Sequence, residues 1–206
     1  MQNKVTIIDY GMGNLRSVQK KLIRVGADAI ISNDLEIISK SDKLILPGVG
    51  HFENGIKNLK ELGIWDVINR RVLLDKVPIL GICLGMQLMA KHSEEGNVEG
   101  LSWFDATVVK FSVKNSLKYK VPHMGWNNAV IEKKSKLFHN IPSQSMYYFV
   151  HSYHICCNSA EDVLSSTEYE YKFTSSIQKE NIYGTQFHPE KSHEWGEMIF
   201  KNFMEI

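Results

Sequence analysis

One cysteine stands in a sequence setting that could make it a nucleophile. In Gly81-Ile82-Cys83-Leu84-Gly85, a glycine lies two residues from Cys83 on either side, where an apolar strand-like run meets a helix-like one. This pattern predicts a nucleophile elbow, a sharp turn at which bulky side chains in the glycine positions would collide with neighbouring strands. The turn puts the sulfur at a helix N-terminus, which favours a thiolate, and lets the Leu84 N–H donate to an oxyanion. The alternative is a small buried cysteine at a strand end.

A histidine and a carboxylate near the C-terminus could supply the base that such a cysteine needs. His188 and Glu190 flank Pro189. Residues two apart in an extended chain project to the same side, so Glu190 is predicted to orient His188 and stabilise its charge. The alternative is a structural or surface histidine.

Glycines at a second strand end could complete the site. Pro47-Gly48-Val49-Gly50 follows an apolar run. Glycine allows unusual backbone dihedrals there, so amides could point at a developing oxyanion; the alternative is a plain strand-to-helix turn. By contrast, Gly11-Met12-Gly13 lacks the third glycine of a dinucleotide fingerprint, since position 16 is Arg16. This argues against a nucleotide site.

The elements that must position these residues change character halfway along the chain. Continuous apolar strands alternating with helices predict a parallel sheet covered on both faces in the first half, and the second half is strand-rich. The predicted strands are 5–9, 29–31, 43–46, 78–82, 103–109, 128–131 and 146–156, with a hairpin of 173–178 and 182–187. The predicted helices are 15–25, closed by Gly26, then 53–74, 84–92 and 194–203. We expect one α/β domain over 1–206.

Composition excludes several classes of protein. The 206 residues carry 24 basic and 23 acidic side chains, a net charge of +1, which argues against nucleic-acid or anionic-membrane binding. No apolar run approaches the roughly 18 residues that span a bilayer. The start leads straight into a strand-like run, so no signal peptide is expected. Three cysteines do not make a disulfide framework, so we expect a cytoplasmic protein.

The three motifs together, in this order, resemble the class I (triad) glutamine amidotransferases. Three further segments, 9–14, 122–127 and 148–153, taken together with 186–192 around His188, are similar to the glutaminase subunits of imidazole glycerol phosphate synthases, nearly end to end. The resemblance implies a flavodoxin-like, doubly wound, mostly parallel sheet and no metal or organic cofactor. It also implies hydrolysis of glutamine to glutamate and ammonia. The ammonia would pass to a separate (β/α)₈-barrel cyclase subunit, which makes imidazole glycerol phosphate and aminoimidazole carboxamide ribotide in histidine biosynthesis.

Residue by residue, the resemblance assigns four sets of positions. The catalytic set is Cys83, His188 and Glu190, and the oxyanion donors are the Gly48-Val49 peptide and Leu84. The glutamine-binding set is Gly50, Gln87, Glu95, Ser152 and Tyr153, and the set facing the cyclase is Trp126, Tyr148 and Lys191. Without the resemblance, Gln87 and Glu95 would be interpreted as solvated helix surface, Trp126 and Tyr148 as core, and Lys191 as a surface charge.

Three alternatives stay open at this point. Residues 191–195 and His154 depart from the usual pattern, which leaves room for a paralogous subunit that feeds ammonia to surface-sugar biosynthesis. A non-catalytic regulatory subunit could keep the fold, although it would be free to lose Cys83, His188 and Glu190. A cysteine peptidase would need an extended cleft and would have no use for Gln87 or Glu95.

Overall fold

Apolar runs form the central strands of the first half, as the sequence predicts. We use a computed structural model, which describes residues 4–206. The strands are β1 (Lys4–Ile8), β2 (Asp28–Ser32), β3 (Lys43–Gly48) and β4 (Ile79–Cys83). The helices are α1 (Leu15–Arg24), α2 (Leu35–Ser39), α3 (Phe52–Glu61) and α4 (Ile64–Asn69), and a π-helical turn (Arg70–Leu74) follows α4.

The second half contains two helices and nine strands. After α5 (Leu84–Gln87), the strands are β5 (Ala90–Ser93), β6 (Val98–Glu99), β7 (Phe104–Lys110), β8 (His123–Ile131), β9 (Gln144–His151), β10 (Tyr153–Cys157), β11 (Val163–Tyr169), β12 (Tyr171–Lys179) and β13 (Ile182–Thr185). The last helix is α6 (His193–Met204), and a 3₁₀ turn (Pro189–Lys191) precedes it.

The larger sheet has nine strands in the order β2-β1-β3-β4-β13-β12-β11-β8-β9. Its first five strands pair in parallel and carry buried apolar clusters on both faces, whereas the last four are antiparallel. This confirms the doubly wound α/β class with a strand-rich second half. Because β3, β4 and β13 run in parallel, their C-terminal ends meet at one edge of the sheet.

A smaller four-stranded sheet, in the order β10-β7-β5-β6, accounts for two wrong predictions. The predicted helix 84–92 ends at Gln87, because Ala90 begins β5 and pairs with Phe104 of β7. The predicted strand 146–156 is two strands, since β9 lies in the large sheet and β10 in the small one, with a break at Ser152. Apolar spacing does not distinguish these outcomes, because both sheets bury the same residue types.

Smaller differences have local causes. The predicted helix 53–74 is interrupted at Gly63, which has a φ of +68°. Strand β8 begins at His123 rather than at 128, and β11 was not predicted. The end of α1 near Gly26 (φ +86°), the hairpin of β12 and β13, and the last helix are confirmed.

Within residues 4–206, no helix is long and apolar enough to cross a membrane. The domain range 1–206 stays a prediction, and its residues 1–3 lie outside those described.

Candidate active site

Cys83 ends β4 in a strained backbone conformation. Its φ of +54° and ψ of −109° lie outside the regions that residues with a side chain usually adopt. Such strain persists where the surrounding structure enforces it, and it is concentrated at functional sites. The side chain is 6% exposed, and helix α5 begins at the next residue.

The two glycines that flank this turn are required by close packing. A Cβ atom on Gly85 would overlap the carbonyl oxygen of Leu46 in the neighbouring strand β3. A Cβ on Gly81 would lie 2.7 Å from the backbone nitrogen of Met86, so its obstacle is the start of α5 rather than a strand. The sequence pattern therefore reflects the tight passage of the chain from β4 into α5.

His188 and Glu190 form a buried pair beyond the end of β13. Their Nδ1 and Oε1 atoms are 2.8 Å apart, and both side chains are 2% exposed. The chain is not extended through this segment, because Pro189–Lys191 is a 3₁₀ turn. The Ser192 hydroxyl fixes the turn: it donates to the His188 carbonyl (2.6 Å) and accepts from the Tyr148 N–H (3.0 Å).

The environment of His188 favours the imidazolium form. Burial lowers the pKa of His188, but the negative charge of an ionised Cys83 raises it, and the Glu190 carboxylate, which accepts a hydrogen bond from Nδ1, adds to the rise. The pKa of His188 is raised to about 10. Its Nε2 has no hydrogen-bond partner among residues 4–206 in this geometry, so this nitrogen is available to the cysteine proton. The arrangement suits a thiolate–imidazolium pair.

A cleft of about 260 Å³ opens beside the Cys83 sulfur. It is lined by all five residues predicted to bind glutamine. Cys83, Val49 and Leu84 of the predicted catalytic and oxyanion sets also line it. The remaining two lining residues, Val150 and His151, have no role predicted from the sequence. The break between β9 and β10 at Ser152 forms one wall. A hollow of about 710 Å³ lies elsewhere, along residues 131–143, and none of the predicted site residues lines it.

Gly48 does not line the cleft. It pairs with Cys83 in the register of β3 and β4, and a Cβ atom there would overlap the Tyr10 hydroxyl and lie 2.9 Å from Leu84 Cβ. Its small size is therefore explained by packing. Val49 and Gly50 follow it at the wall of the cleft, where Gly50 has a φ of +118°.

Two polar side chains in the cleft are held by other contacts. Gln87 Nε2 donates to the Tyr153 carbonyl and to Gln186 Oε1, at 2.9 Å each. Both N–H groups are then used, so the amide oxygen of Gln87 is the atom left to face a ligand. Glu95 Oε2 accepts from the Phe52 N–H at 2.8 Å, which anchors the carboxylate at the first residue of α3.

The three residues predicted to face a partner lie together on the outer surface. Trp126 and Tyr148 are paired across β8 and β9 with their rings 6.1 Å apart, and Lys191 Nζ lies 5.3 Å from the Tyr148 ring centroid. Trp126 is 42% exposed, so it is not core. His193, in one of the segments that departs from the usual pattern, stacks on the indole at 4.8 Å.

Sequence reasoning missed one buried side chain that touches the sulfur. Gln186 Nε2 lies 3.6 Å from Cys83 Sγ. Gln186 precedes His188 by two residues, but the chain bends at Gln186 and Phe187, so strand alternation does not predict this contact. His154, the other unusual position, is buried against Phe111, 4.6 Å between ring centroids.

The fold and the site define a class of protein, and a family model agrees with it. The model described as "Glutamine amidotransferase class-I" matches residues 6–206. The chain belongs to the class I glutamine amidotransferase family.

Curated relatives narrow the assignment within that family. The chain is 52% identical to "Imidazole glycerol phosphate synthase subunit HisH 2" of Methanococcus maripaludis, covering 97% of this chain and 98% of that protein. It is 44% identical to the protein of the same name in Pseudomonas aeruginosa, covering 98% and 99%. Among solved structures, PurLQS from Thermotoga maritima matches the fold with a TM-score of 0.77 at 16% identity, covering 100% and 99%. The chain is a member of the HisH subunits.

Proposed function

We propose that this protein is the glutaminase subunit of an imidazole glycerol phosphate synthase. It hydrolyses glutamine and delivers ammonia to a (β/α)₈-barrel cyclase subunit in histidine biosynthesis. The observation that carries the proposal is the position of Cys83, strained at the end of β4, beside the buried His188–Glu190 pair and at the wall of the cleft. The names of the HisH relatives support the pathway.

The chemistry follows from the three side chains. The Cys83 thiolate attacks the carboxamide carbon of glutamine, and His188 protonates the departing ammonia. A glutamyl thioester remains, which is hydrolysed by a water that His188 deprotonates. Glu190 holds the imidazole in one orientation through both steps. The Leu84 and Val49 amides are the proposed donors to the oxyanion, since both residues line the cleft.

The cleft suits the polar end of an amino acid. Glu95 supplies a carboxylate for the α-ammonium group, and the Gln87 amide oxygen supplies a second acceptor. Gly50, Ser152 and Tyr153 form the surrounding wall. A cleft of this size fits one glutamine rather than an extended peptide, which argues against a cysteine peptidase.

The cyclase docks, in this proposal, on the outer face of β8 and β9 around Trp126, Tyr148 and Lys191. This face also exposes Met124 (66%) and Met146 (49%), an unusual amount of apolar surface for a sheet edge that faces solvent. Tyr148 lies next to the triad, because its carbonyl accepts from the His188 N–H at 2.9 Å. We propose a heterodimer that works in the cytoplasm.

The test is glutamine hydrolysis by the purified chain, measured alone and with the barrel subunit from the same organism. We expect the partner to be required for substantial turnover. The barrel subunit should also work without this chain when ammonium salts are supplied at elevated pH, and Cys83→Ala should not affect that reaction. The proposal is wrong if the complex does not hydrolyse glutamine, or if the barrel subunit cannot use free ammonia.

A second candidate is a paralogous subunit that supplies ammonia to surface-sugar biosynthesis. It is favoured by the number 2 in the names of both HisH relatives, which points to more than one copy in those organisms. Co-purification of the barrel partner distinguishes the two: the cyclase of histidine biosynthesis supports the first, and an amidotransferase of glycan synthesis the second.

A further inference from the structure

A buried amide outside the triad also lies against the Cys83 sulfur. Gln186 is fully buried, and its Nε2 lies 3.6 Å from Cys83 Sγ. Its backbone N–H donates to the Ser175 carbonyl at 2.9 Å, so the residue is anchored to the neighbouring strand β12. The next side chain, Phe187, stacks on Tyr147 with ring centroids 4.0 Å apart, which fixes the direction of the chain here.

Hydrogen bonding determines which end of the amide faces the sulfur. Gln87 Nε2 donates to the Tyr153 carbonyl, an atom that can only accept, and its second contact is Gln186 Oε1. The oxygen of Gln186 therefore points to Gln87, and its NH₂ group points to Cys83. A flipped amide would place two donors against each other.

We propose that Gln186 is a second donor to the Cys83 sulfur and stabilises the thiolate together with His188. The inference rests on the proposed nucleophilic role of Cys83. A thiolate in this position is largely removed from water and lies 3.9 Å from the Val150 carbonyl oxygen, which repels negative charge. A neutral amide donor offsets this cost at every pH, without a proton of its own to lose.

The same contact links the sulfur to the ligand cleft. Gln87 lines the cleft and donates to Gln186, which in turn donates to Cys83. Successive hydrogen bonds polarise one another, so a ligand that fixes the Gln87 side chain also fixes the Gln186 amide at the sulfur. Gln186 thereby positions the nucleophile as well as stabilising its charge.

Other groups that act on the sulfur must be separated from Gln186. His188 acts on the sulfur from the segment after β13, and Tyr10 acts on it from the segment after β1. Burial, then the charge of Cys83, raises the pKa of Tyr10. Glu95 and His151 line the same cleft. Burial, then the charge of His123, keeps the pKa of His151 well below its usual range, so His151 is neutral at pH 7. A test must leave all of these side chains unchanged.

Two substitutions meet this requirement. Gln186→Met removes the donor at similar volume, and Gln186→Glu keeps an acceptor for Gln87 but replaces the donor with a charge that repels the thiolate. The readout is the rate at which iodoacetamide alkylates Cys83 in the full chain between pH 5 and 10, followed by peptide mass spectrometry. Gln19→Glu is the matched control, because the half-buried Gln19 also donates to a single acceptor, the Ala29 carbonyl at 3.0 Å, in a different part of the fold.

We expect the pH midpoint of Cys83 alkylation to rise by about one unit in Gln186→Met, and further in Gln186→Glu. Gln19→Glu should match the wild type. An unchanged midpoint in a folded Gln186 variant would overturn the inference. It would not overturn the proposed function, which is tested separately by glutamine hydrolysis of the wild-type complex.

A measurement on the wild-type chain makes the test independent of whether the variants fold. The side-chain ¹H–¹⁵N signals of Gln186 should move as Cys83 ionises, with the same midpoint as alkylation, and should not titrate at that midpoint in Cys83→Ser. Signals that do not respond to the ionisation of Cys83 would contradict the contact.

Discussion

The backbone of Gly85 lies directly against the Leu46 carbonyl, so that a Cβ atom on residue 85 would be 2.7 Å from the carbonyl carbon and would overlap its oxygen. This contact holds the first turn of α5 against β3. It thereby fixes the position of Cys83 at the end of β4. Val49 and Gly50 follow the neighbouring end of β3. The geometry of the proposed nucleophile thus depends on a residue that cannot take part in the chemistry.

Gly85→Ala should therefore destabilise the fold and abolish glutaminase activity. The new methyl group has a rigid backbone carbonyl as its obstacle, so we expect a loss of about 3 kcal/mol in the free energy of unfolding. Gly55→Ala is the control, because the three atoms nearest to the added methyl belong to the Leu88 side chain, at 3.0 Å or more, and not to the backbone. Urea unfolding of both variants checks this. Equal stability of Gly85→Ala and the wild type would contradict the packing argument.

The His188–Glu190 pair should be required for turnover. His188→Ala should lower glutaminase activity of the complex by about 10⁶-fold, because triad members act as a unit. Glu190→Gln should be milder, since the amide oxygen can still accept from Nδ1 while the negative charge is lost. Steady-state kinetics with saturating glutamine measures both effects. Near-normal turnover in His188→Ala would exclude it as the base.

Stability should fall in mild acid because of buried histidines. Burial lowers the pKa of His123 to about 4, and its Nδ1 is 3.1 Å from His151 Nε2. Between pH 6.5 and 4 the unfolded chain binds the proton more readily than the folded chain, so stability decreases as the pH falls through this window. The loss at His123 alone is on the order of 3 kcal/mol by pH 4.

The check is the free energy of unfolding in urea at a series of pH values from 7.5 to 4.5. His123→Gln should have a flatter pH dependence than the wild type, by about one proton. If His123→Gln loses stability in acid as steeply as the wild type, another group is responsible.

Binding of the cyclase should switch the glutaminase on. Gly48 allows the Gly48–Val49 peptide to turn its carbonyl rather than its N–H toward the oxyanion. Loss of one such donor lowers the rate by about 10²–10³-fold. We expect the rate to rise from chain alone, to complex, to complex with a ligand in the acceptor site. Full activity in the isolated chain would refute the switch.

Lys191 offers a way to perturb that response at the surface. Lys191→Ala removes the charge that lies over Tyr148 and should weaken activation by the partner. Lys76→Ala is the control, because Lys76 pairs with Glu180 near the opposite end of β4 from Cys83. Both variants are titrated with the cyclase while glutamine hydrolysis is followed. Identical activation of the two variants would remove Lys191 from the interface.

The sequence predicted those parts of the site that depend on local pattern. The glycines around Cys83 and the spacing of His188 and Glu190 can be read within a few residues, because a tight turn constrains its own neighbours. Pairing between segments that are far apart in the sequence could not be predicted. No local signal places β13 beside β4, ends β9 at Ser152, or brings Glu95 to the N-terminus of α3. Gln186 was missed because its contacts exist only when the fold brings Cys83 and Gln87 next to it.

The most direct test of the central claim is the site at which a glutamine-mimicking, thiol-reactive affinity label attaches to the complex. Burial, then the nearby Asp162, raises the pKa of the Cys157 thiol to about 12, and Cys156, although exposed, lies in β10 outside the glutamine cleft, so neither should compete. We predict that peptide mass spectrometry finds the label on Cys83 alone. Cys83→Ala should take up no label and show no glutamine hydrolysis. Label on Cys156 or Cys157, or substantial turnover in Cys83→Ala, would contradict the account.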